Sequence, residues 1–184
     1  INGSLTGLAE LEAKQFSGIL KKYLENHKPK IRVAAFLALR KLDKSSASEF
    51  ALENLGTSSG KLRNAIIEHL SLLSRKDVLE KARNYYQTGD YEMKRSMLLL
   101  FGKMGGWSTL ADLMIGTVDE DERLRNLSQQ FIETWRKRAV HLFTTPQKED
   151  LERAKQTLAV TFEWHEKNRY FRKNPLSGID FFLD

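Results

Sequence analysis

The sequence predicts an all-α protein: a right-handed α-solenoid of about four antiparallel helix pairs, closed by a C-terminal capping helix. Three observations support this fold class. The chain repeats with a period of 31 residues, apolar residues recur within each repeat at helical spacing, and only three of the 184 residues are proline. Internal repeats of roughly 20–50 residues are typical of solenoids, in which each unit buries its apolar face against the next.

The period is clearest at a dipeptide formed by an apolar residue and a base. It occurs at Ile31-Arg32, Leu62-Arg63, Met93-Lys94 and Leu124-Arg125. The repeats are therefore predicted at 14–44, 45–75, 76–106 and 107–137, each with a helix A, a turn and a helix B. Residues 1–13 are predicted to be a partial upstream repeat or an N-terminal cap, and residues 138–184 a cap helix and an aromatic tail. Because the chain begins at Ile1, inside a repeat, we expect it to be part of a longer protein.

Helix B carries the stronger apolar pattern. Eight residues beyond its first apolar position, every repeat has a large apolar residue: Leu39, Leu70, Phe101 and Ile132. Such spacing places the apolar side chains on one face of a helix. A further column, Phe36, Ile67 and Leu98, has two interpretations. It is core if the helices pack tightly, or a strip for docking a partner helix if it is exposed; the pattern favours core.

Helix A is weaker but keeps the same register, with Leu20, Ala51, Ala82 and Leu113 in one column. The ends of the helices are marked by turn and cap residues. Pro29 suits a first helical turn, where its missing N–H has no partner to lose. Ser59, Asp90 and Asp121 directly precede helix B and are predicted N-caps. Gly105-Gly106 is predicted to separate the third repeat from the fourth.

After Trp135 the period fails, because the position 31 residues after Leu124, where the repeat requires an apolar residue, is the charged Lys155. Thr145-Pro146 predicts the start of a longer helix over about 146–168, the C-terminal cap. Its predicted apolar face is Leu151, Ala154, Leu158 and Phe162. The tail contains four aromatic residues, Tyr170, Phe171, Phe181 and Phe182, and we expect it to pack on the cap or to insert into a partner.

The composition excludes several kinds of site. Without cysteine the chain can form neither a disulfide nor a thiolate zinc site, and we expect a reducing, cytoplasmic compartment. The longest apolar run, Val33 to Leu39, is far too short to span a membrane, so no membrane partner is predicted. The net charge of +6 is a weak indication of polyanionic partners.

Helix B resembles the HEAT-repeat pattern, in which a polar turn precedes a Val-Arg-like pair, small residues and a closing Leu. The matching segments are Ile31-Arg32-Val33-Ala34-Ala35, Leu62-Arg63-Asn64-Ala65 and Leu124-Arg125-Asn126-Leu127. Residues 101–106, with the sequence Phe-Gly-Lys-Met-Gly-Gly, resemble the Leu-Gly-x-Ile-Gly ending of short bacterial HEAT-like repeats. The resemblance covers about residues 14–137. It implies a solenoid with helix B on the concave face, and it implies little about function.

Basic residues recur at the start of helix B. The candidate binding residues on the concave surface are Lys30, Arg32, Lys61, Arg63, Lys94, Arg95, Arg123 and Arg125. The resemblance implies a structural alternative, slightly favoured, in which the base of the repeated dipeptide pairs with an acidic turn residue of a neighbouring repeat. The turn column six residues earlier reads Asn26, Thr57, Thr88 and Asp119, so Asp119 is the one acid in it. We therefore predict a structural role in the fourth repeat and a free binding surface in the first two.

No catalytic site, cofactor or metal site is predicted. The histidines lack zinc-ligand spacing, and His69 falls in an apolar column, which favours a half-buried structural role. Tryptophans such as Trp107 and Trp164 could stack on nucleobases, but Trp135 occupies a core column. HEAT-like DNA glycosylases use such aromatics together with a carboxylate, and no matching catalytic set is found here.

The sequence therefore predicts a non-enzymatic scaffold that binds a protein or an acidic peptide in the concave groove of a HEAT-like solenoid. Two alternatives stay open. The basic column and the net charge are also compatible with a nucleic-acid-binding protein similar to the HEAT-like DNA glycosylases. The missing Met start is also compatible with a helical accessory domain of a larger enzyme.

Overall fold

The computed structural model describes residues 17–58, 60–73, 76–139, 145–168 and 173–183, and every regular element in these ranges is a helix. The elements are α1 (Ser17–Leu24), α2 (Pro29–Leu42), α3 (Lys44–Asn54), α4 (Gly60–Ser71), α5 (Lys76–Thr88), α6 (Tyr91–Met104), α7 (Trp107–Gly116), α8 (Glu122–Ala139), α9 (Lys148–Asn168) and α10 (Asp180–Leu183). The predicted all-α class is confirmed for this part of the chain. Residues 1–13, with the predicted partial repeat, lie outside it.

The helix starts follow the sequence period. We refer to α1, α3, α5 and α7 as the A helices and to α2, α4, α6 and α8 as the B helices. The B helices begin at Pro29, Gly60, Tyr91 and Glu122, each 31 residues after the one before. Each begins where the polar turn ends and the apolar stripe starts, so the same local pattern produces the same boundary.

The helices form two compact units, residues 1–85 and residues 86–184. In the first unit, α1 packs on α2, and α2, α3 and α4 pack on one another. Its core includes Leu20, Phe36, Leu39 and Leu70, which are fully buried. The Phe36 ring lies against the rings of Phe50 and His69, at centroid distances of 5.9 and 5.7 Å.

In the second unit, α6, α7 and α8 pack on one another, α9 packs on α7, and α10 contacts α9. Trp135 of α8 is one of the largest fully buried side chains of this unit. The Trp107 ring lies edge-on to Trp135 at 5.1 Å, and Phe182 approaches Trp135 from the C-terminal tail at 5.7 Å. The part of the tail that the structure describes thus packs back on the unit, whereas Tyr170 and Phe171 lie outside the described residues.

The predicted core columns are confirmed. The closing position of helix B, Leu39, Leu70, Phe101 and Ile132, is buried in every repeat. The ambiguous column of Phe36, Ile67 and Leu98 is also buried, so it is core and not a docking strip. The helix A column of Leu20, Ala51, Ala82 and Leu113 is buried as well.

The predicted caps form as expected where the structure describes them. Pro29 lies in the first turn of α2. The Asp90 carboxylate accepts the backbone N–H of Met93, and that of Asp121 accepts the N–H of Arg123. Gly105 ends α6 in the left-handed region, with φ of 62°, where glycine carries no steric penalty. Ser59 lies outside the described residues.

The close packing of α7 on α8 depends on Gly116. A Cβ atom there would lie 2.5 Å from Ser128 Oγ and 2.7 Å from Leu98 Cδ2, closer than any real contact. The missing side chain lets Ser128 Oγ donate a 2.5 Å hydrogen bond to the carbonyl oxygen of Leu113. This glycine therefore sets the distance between the two helices of the fourth repeat.

The predicted face of the cap helix needs correction. Helix α9 begins at Lys148, two residues after Pro146, and buries Ala154, Thr161 and His165, whereas Phe162 is 37% exposed. This face is buried because α7 and the turn that follows it provide polar partners for α9. A pattern of apolar residues in the sequence cannot reveal such partners. Arg153 binds Asp112 with both guanidinium arms (2.5 and 3.1 Å), and His165 Nε2 bonds Thr117 Oγ1 (2.9 Å).

No helix in the described residues is both long and apolar enough to cross a bilayer.

Candidate functional site

The basic charge of the chain is concentrated on the B helices. Together they contain 14 Lys and Arg against 4 Asp and Glu, whereas the A helices contain 6 against 5. Helix α2 is the extreme case, with Lys30, Arg32, Arg40 and Lys41 and no acid. Helices α2 and α4 pack side by side in the first unit, and their exposed charged residues are three lysines, Lys30, Lys41 and Lys61, and one acid, Glu68.

Two bases of the repeated dipeptide hold the turn that precedes their own helix. Arg63 Nε donates to the carbonyl oxygen of Ser58 (2.8 Å), and Arg125 Nη1 donates to those of Asp119 (2.7 Å) and Glu120 (2.9 Å). Both arginines are buried. Side chains of a helix lean toward its N-terminus, so a base in the first turn reaches back to the loop carbonyls. The prediction of a free binding surface in the second repeat is therefore wrong for Arg63, because its side chain is hydrogen-bonded to the turn before its own helix.

Lys94 makes the ion pair that the family resemblance implied. Its Nζ lies 2.9 Å from Oδ2 of Asp119, which joins a base of the third repeat to the turn acid of the fourth. The same carboxylate accepts the Tyr86 hydroxyl at 2.7 Å and the backbone N–H of Asp121 at 3.0 Å. The pairing predicted around Asp119 is therefore present, and its contribution to stability stays a prediction.

The environment of Asp119 keeps the cluster ionised. Burial tends to raise the pKa of this carboxyl, but the hydrogen bonds from the Asp121 amide, Lys94 and Tyr86 outweigh it and hold the pKa below its usual value. Burial and the bond to Asp119 raise the pKa of the Tyr86 hydroxyl, which stays a neutral donor. The cluster is thus a carboxylate surrounded by donors, which suits it to joining helices rather than to transferring protons.

The other predicted binding residues occupy different environments. Arg32 is half-buried, and its Nε has no hydrogen-bond partner among the described residues. Arg123 is exposed, but it binds Asp121 (2.7 Å) and lies 3.9 Å above the ring of Tyr91. Lys30 and Lys61 are exposed in the first turns of α2 and α4, and Arg95 is half-buried. Ligand binding by the eight basic residues predicted at the start of the B helices stays a prediction.

Two buried histidines each bond the same kind of partner, a hydroxyl group whose own proton is donated to a helix carbonyl. Ser48 Oγ donates to the carbonyl of Lys44, and Thr117 Oγ1 donates to that of Met114, both at 2.7 Å. Each hydroxyl is then left to accept from a histidine Nε2, that of His69 at 3.0 Å and that of His165 at 2.9 Å. Burial lowers the pKa of both imidazoles, so they are neutral donors. His69, predicted to be half-buried, is thus buried and hydrogen-bonded inside the first unit. Within the described ranges, no group of three or more potential metal ligands is found.

An apolar groove between α9 and the tail was not predicted from the sequence. It encloses about 600 Å³ and is lined by Lys155, Leu158, Ala159, Phe162, Glu163, Glu166, Leu176, Asp180 and Leu183. The signal that could have revealed it is a second apolar stripe on α9. Leu158 and Phe162, which the apolar pattern predicts on the buried face of the cap helix, belong to this second stripe.

The sequence as a whole matches no protein-family model and no curated protein.

Proposed function

We propose that the chain is a non-enzymatic scaffold of HEAT-like helix pairs whose B helices bind an acidic segment of a partner protein. The observation that carries the proposal is the segregation of charge, 14 bases against 4 acids on the B helices and near balance on the A helices. The constant 31-residue interval between the B helices, and the packing of B helix on B helix within each unit, support the solenoid.

The first unit is the preferred binding region. Residues 1–85 contain 15 Lys and Arg against 9 Asp and Glu, whereas residues 86–184 contain 15 against 15, so the entire net charge of +6 belongs to the first unit. Exposed cations there include Lys30, Lys41 and Lys61 on the B helices. They would attract carboxylates over a distance and select acidic segments, whereas Arg63 serves the fold.

The test is a charge reversal with a matched control. Lys30→Glu, Lys41→Glu and Lys61→Glu together reverse three exposed B-helix charges. Lys22→Glu, Lys44→Glu and Lys81→Glu do the same on α1, α3 and α5, and either triple brings the net charge from +6 to 0. We expect the B-helix triple to weaken binding of a labelled oligoglutamate peptide by about tenfold or more, and the A-helix triple by much less. Equal loss in both would contradict a B-helix site.

Nucleic acid is the second candidate, because the same charge segregation would attract phosphates. A short DNA duplex used as a second probe separates the two functions. Phosphate recognition predicts that duplex binding falls steeply with salt, by roughly one power of the salt concentration for each phosphate contacted. Tighter binding of duplex than of peptide at physiological salt would favour the nucleic-acid function.

A further inference from the structure

The groove beside α9 has the geometry of a docking site. On α9 its lining residues are Lys155, Leu158, Ala159, Phe162, Glu163 and Glu166. Counted from Lys155, the other five residues lie three, four, seven, eight and eleven positions further along the chain. Residues at these spacings form one continuous stripe along a helix. The stripe is about 16 Å long at the rise of an α-helix, roughly three turns.

Both walls of the groove are anchored independently of any ligand. Helix α9 is held on α7 and its following turn by Arg153 with Asp112 and by His165 with Thr117. The opposite wall consists of Leu176 and Leu183, which are buried, and Phe182 next to them packs on Trp135. The groove is therefore preformed, and a ligand would not have to order its walls.

The floor of the groove is apolar and accessible. Phe162 remains 37% exposed although it belongs to a packed helix, and Ala159 beside it is exposed. A volume of about 600 Å³ is within the range of ligand-binding clefts and accommodates several side chains. An amphipathic helix with anchors at i, i+3 or i+4 and i+7 matches both the length and the volume.

The charge of the rim identifies the partner more closely. The groove is lined by three carboxylates, Glu163, Glu166 and Asp180, and by one base, Lys155, so its lining is acidic although the chain as a whole has a net charge of +6. Lys167, which does not line the groove, pairs with Glu163 at 2.5 Å, and Asn174 donates to Glu166 at 3.1 Å, so the rim keeps an excess of negative charge. They lie toward the C-terminal end of α9, where the helix dipole is also negative, and Lys155 lies toward the other end.

We infer that this groove binds an amphipathic helix from another protein, with two or three large apolar anchors followed by Lys or Arg at the end that meets Glu163 and Glu166. This site is distinct from the basic B-helix surface and prefers a partner segment of the opposite charge. It does not depend on the proposed function.

The experiment uses a labelled synthetic peptide, a three-turn amphipathic helix with leucine anchors and lysines at one end. Ala159→Glu and Phe162→Ser alter the floor at exposed positions, and Val160→Glu is the matched control, since Val160 is 71% exposed on the same helix but does not line the groove. We expect each floor variant to weaken binding by about tenfold or more and Val160→Glu to leave it unchanged. Replacing the peptide leucines with serine should abolish binding.

The rim is tested separately. Glu163→Gln with Glu166→Gln should weaken binding about three- to tenfold and reduce its salt dependence, whereas Glu149→Gln with Glu152→Gln, exposed on the first turns of α9, should not. Absence of peptide binding to the parent chain, or equal effects of Ala159→Glu and Val160→Glu, would overturn the inference. Self-association that Ala159→Glu abolishes would identify a second copy as the occupant and also overturn it. The B-helix triple, Lys30→Glu, Lys41→Glu and Lys61→Glu, should still bind this peptide. A negative result for one proposed site would therefore leave the other proposal standing.

Discussion

Lys94 of the third repeat and Asp119 of the fourth form an ion pair at 2.9 Å, and Tyr86 donates to the same carboxylate oxygen of Asp119 at 2.7 Å. The acid is buried, while the lysine is partly exposed. The pair thus connects helices α5 and α6 to the turn before α8. Its contribution comes from keeping buried polar groups satisfied more than from the attraction between the charges.

Replacing Asp119 should therefore destabilise the second unit. Asp119→Ala removes the acceptor of Lys94, Tyr86 and the Asp121 amide, and it leaves a buried tyrosine hydroxyl without this partner. We expect a loss of about 2–3 kcal/mol in the free energy of unfolding, measured by urea denaturation. Glu120→Ala is the control, because that side chain is exposed and the bond from Arg125 goes to its backbone. A loss below about 0.5 kcal/mol for Asp119→Ala would show that the cluster is not structural.

The bases at the start of the B helices should divide into two groups by their effect on stability. Arg63→Gln and Arg125→Gln each remove charged hydrogen bonds to turn carbonyls and should cost about 1.5–3 kcal/mol in urea unfolding. Lys30→Gln and Lys61→Gln change exposed charges and should stay within about 0.5 kcal/mol of the parent. If all four variants were equally stable, the hydrogen bonds from Arg63 and Arg125 to the turn carbonyls would not stabilise the fold, and both arginines would be available for binding.

A methyl group at Gly116 should force α7 away from α8. Gly116→Ala places Cβ within 2.5 to 2.9 Å of Ser128 and Leu98, and we expect it to cost about 1–3 kcal/mol, seen as a lowered melting temperature. Gly18→Ala is the control. No described residue lies within 4 Å of its added Cβ, and alanine raises helix propensity, so this change should be neutral or slightly stabilising.

Stability should fall as the solution is acidified below about pH 6.5, the ordinary value for histidine. His69 and His165 have folded-state pKa values below that of the unfolded chain, chiefly because they are buried; Arg40 and Lys44 add to this at His69 and Arg125 at His165, whereas Glu166 opposes it at His165. The unfolded state then binds more protons, so the free energy of unfolding increases with pH by up to about 1.4 kcal/mol per pH unit for each histidine.

This slope is measured by urea unfolding between about pH 5 and pH 7, above the range in which most carboxylates titrate. His69→Gln and His165→Gln should each reduce the slope, whatever they do to the absolute stability. An unchanged slope in both buried-site variants would contradict the assignment.

Much of the fold was visible in the sequence because it depends on local patterns. The spacing of Leu39 from Ile31 places both on one face of α2, and the same spacing recurs in every repeat. Asp90 and Asp121 mark helix starts because a short acidic side chain can accept the first free N–H groups. Neither inference requires knowledge of which helices touch.

The candidate sites were predicted less well, because the sequence shows which side chains share a helix face and not what that face meets. Arg63 and Lys30 look alike in the sequence, yet one is buried against the carbonyl of Ser58 and the other is exposed. The sequence alone therefore determined the helices, their 31-residue period and the core columns, through spacing and capping within single repeats. Only the tertiary structure determined that His165 and Thr117, 48 residues apart, form a hydrogen bond. With His165 on the buried face of α9, Phe162 lines the groove. Such pairs form only when the packing of whole helices brings distant polar atoms within hydrogen-bond reach.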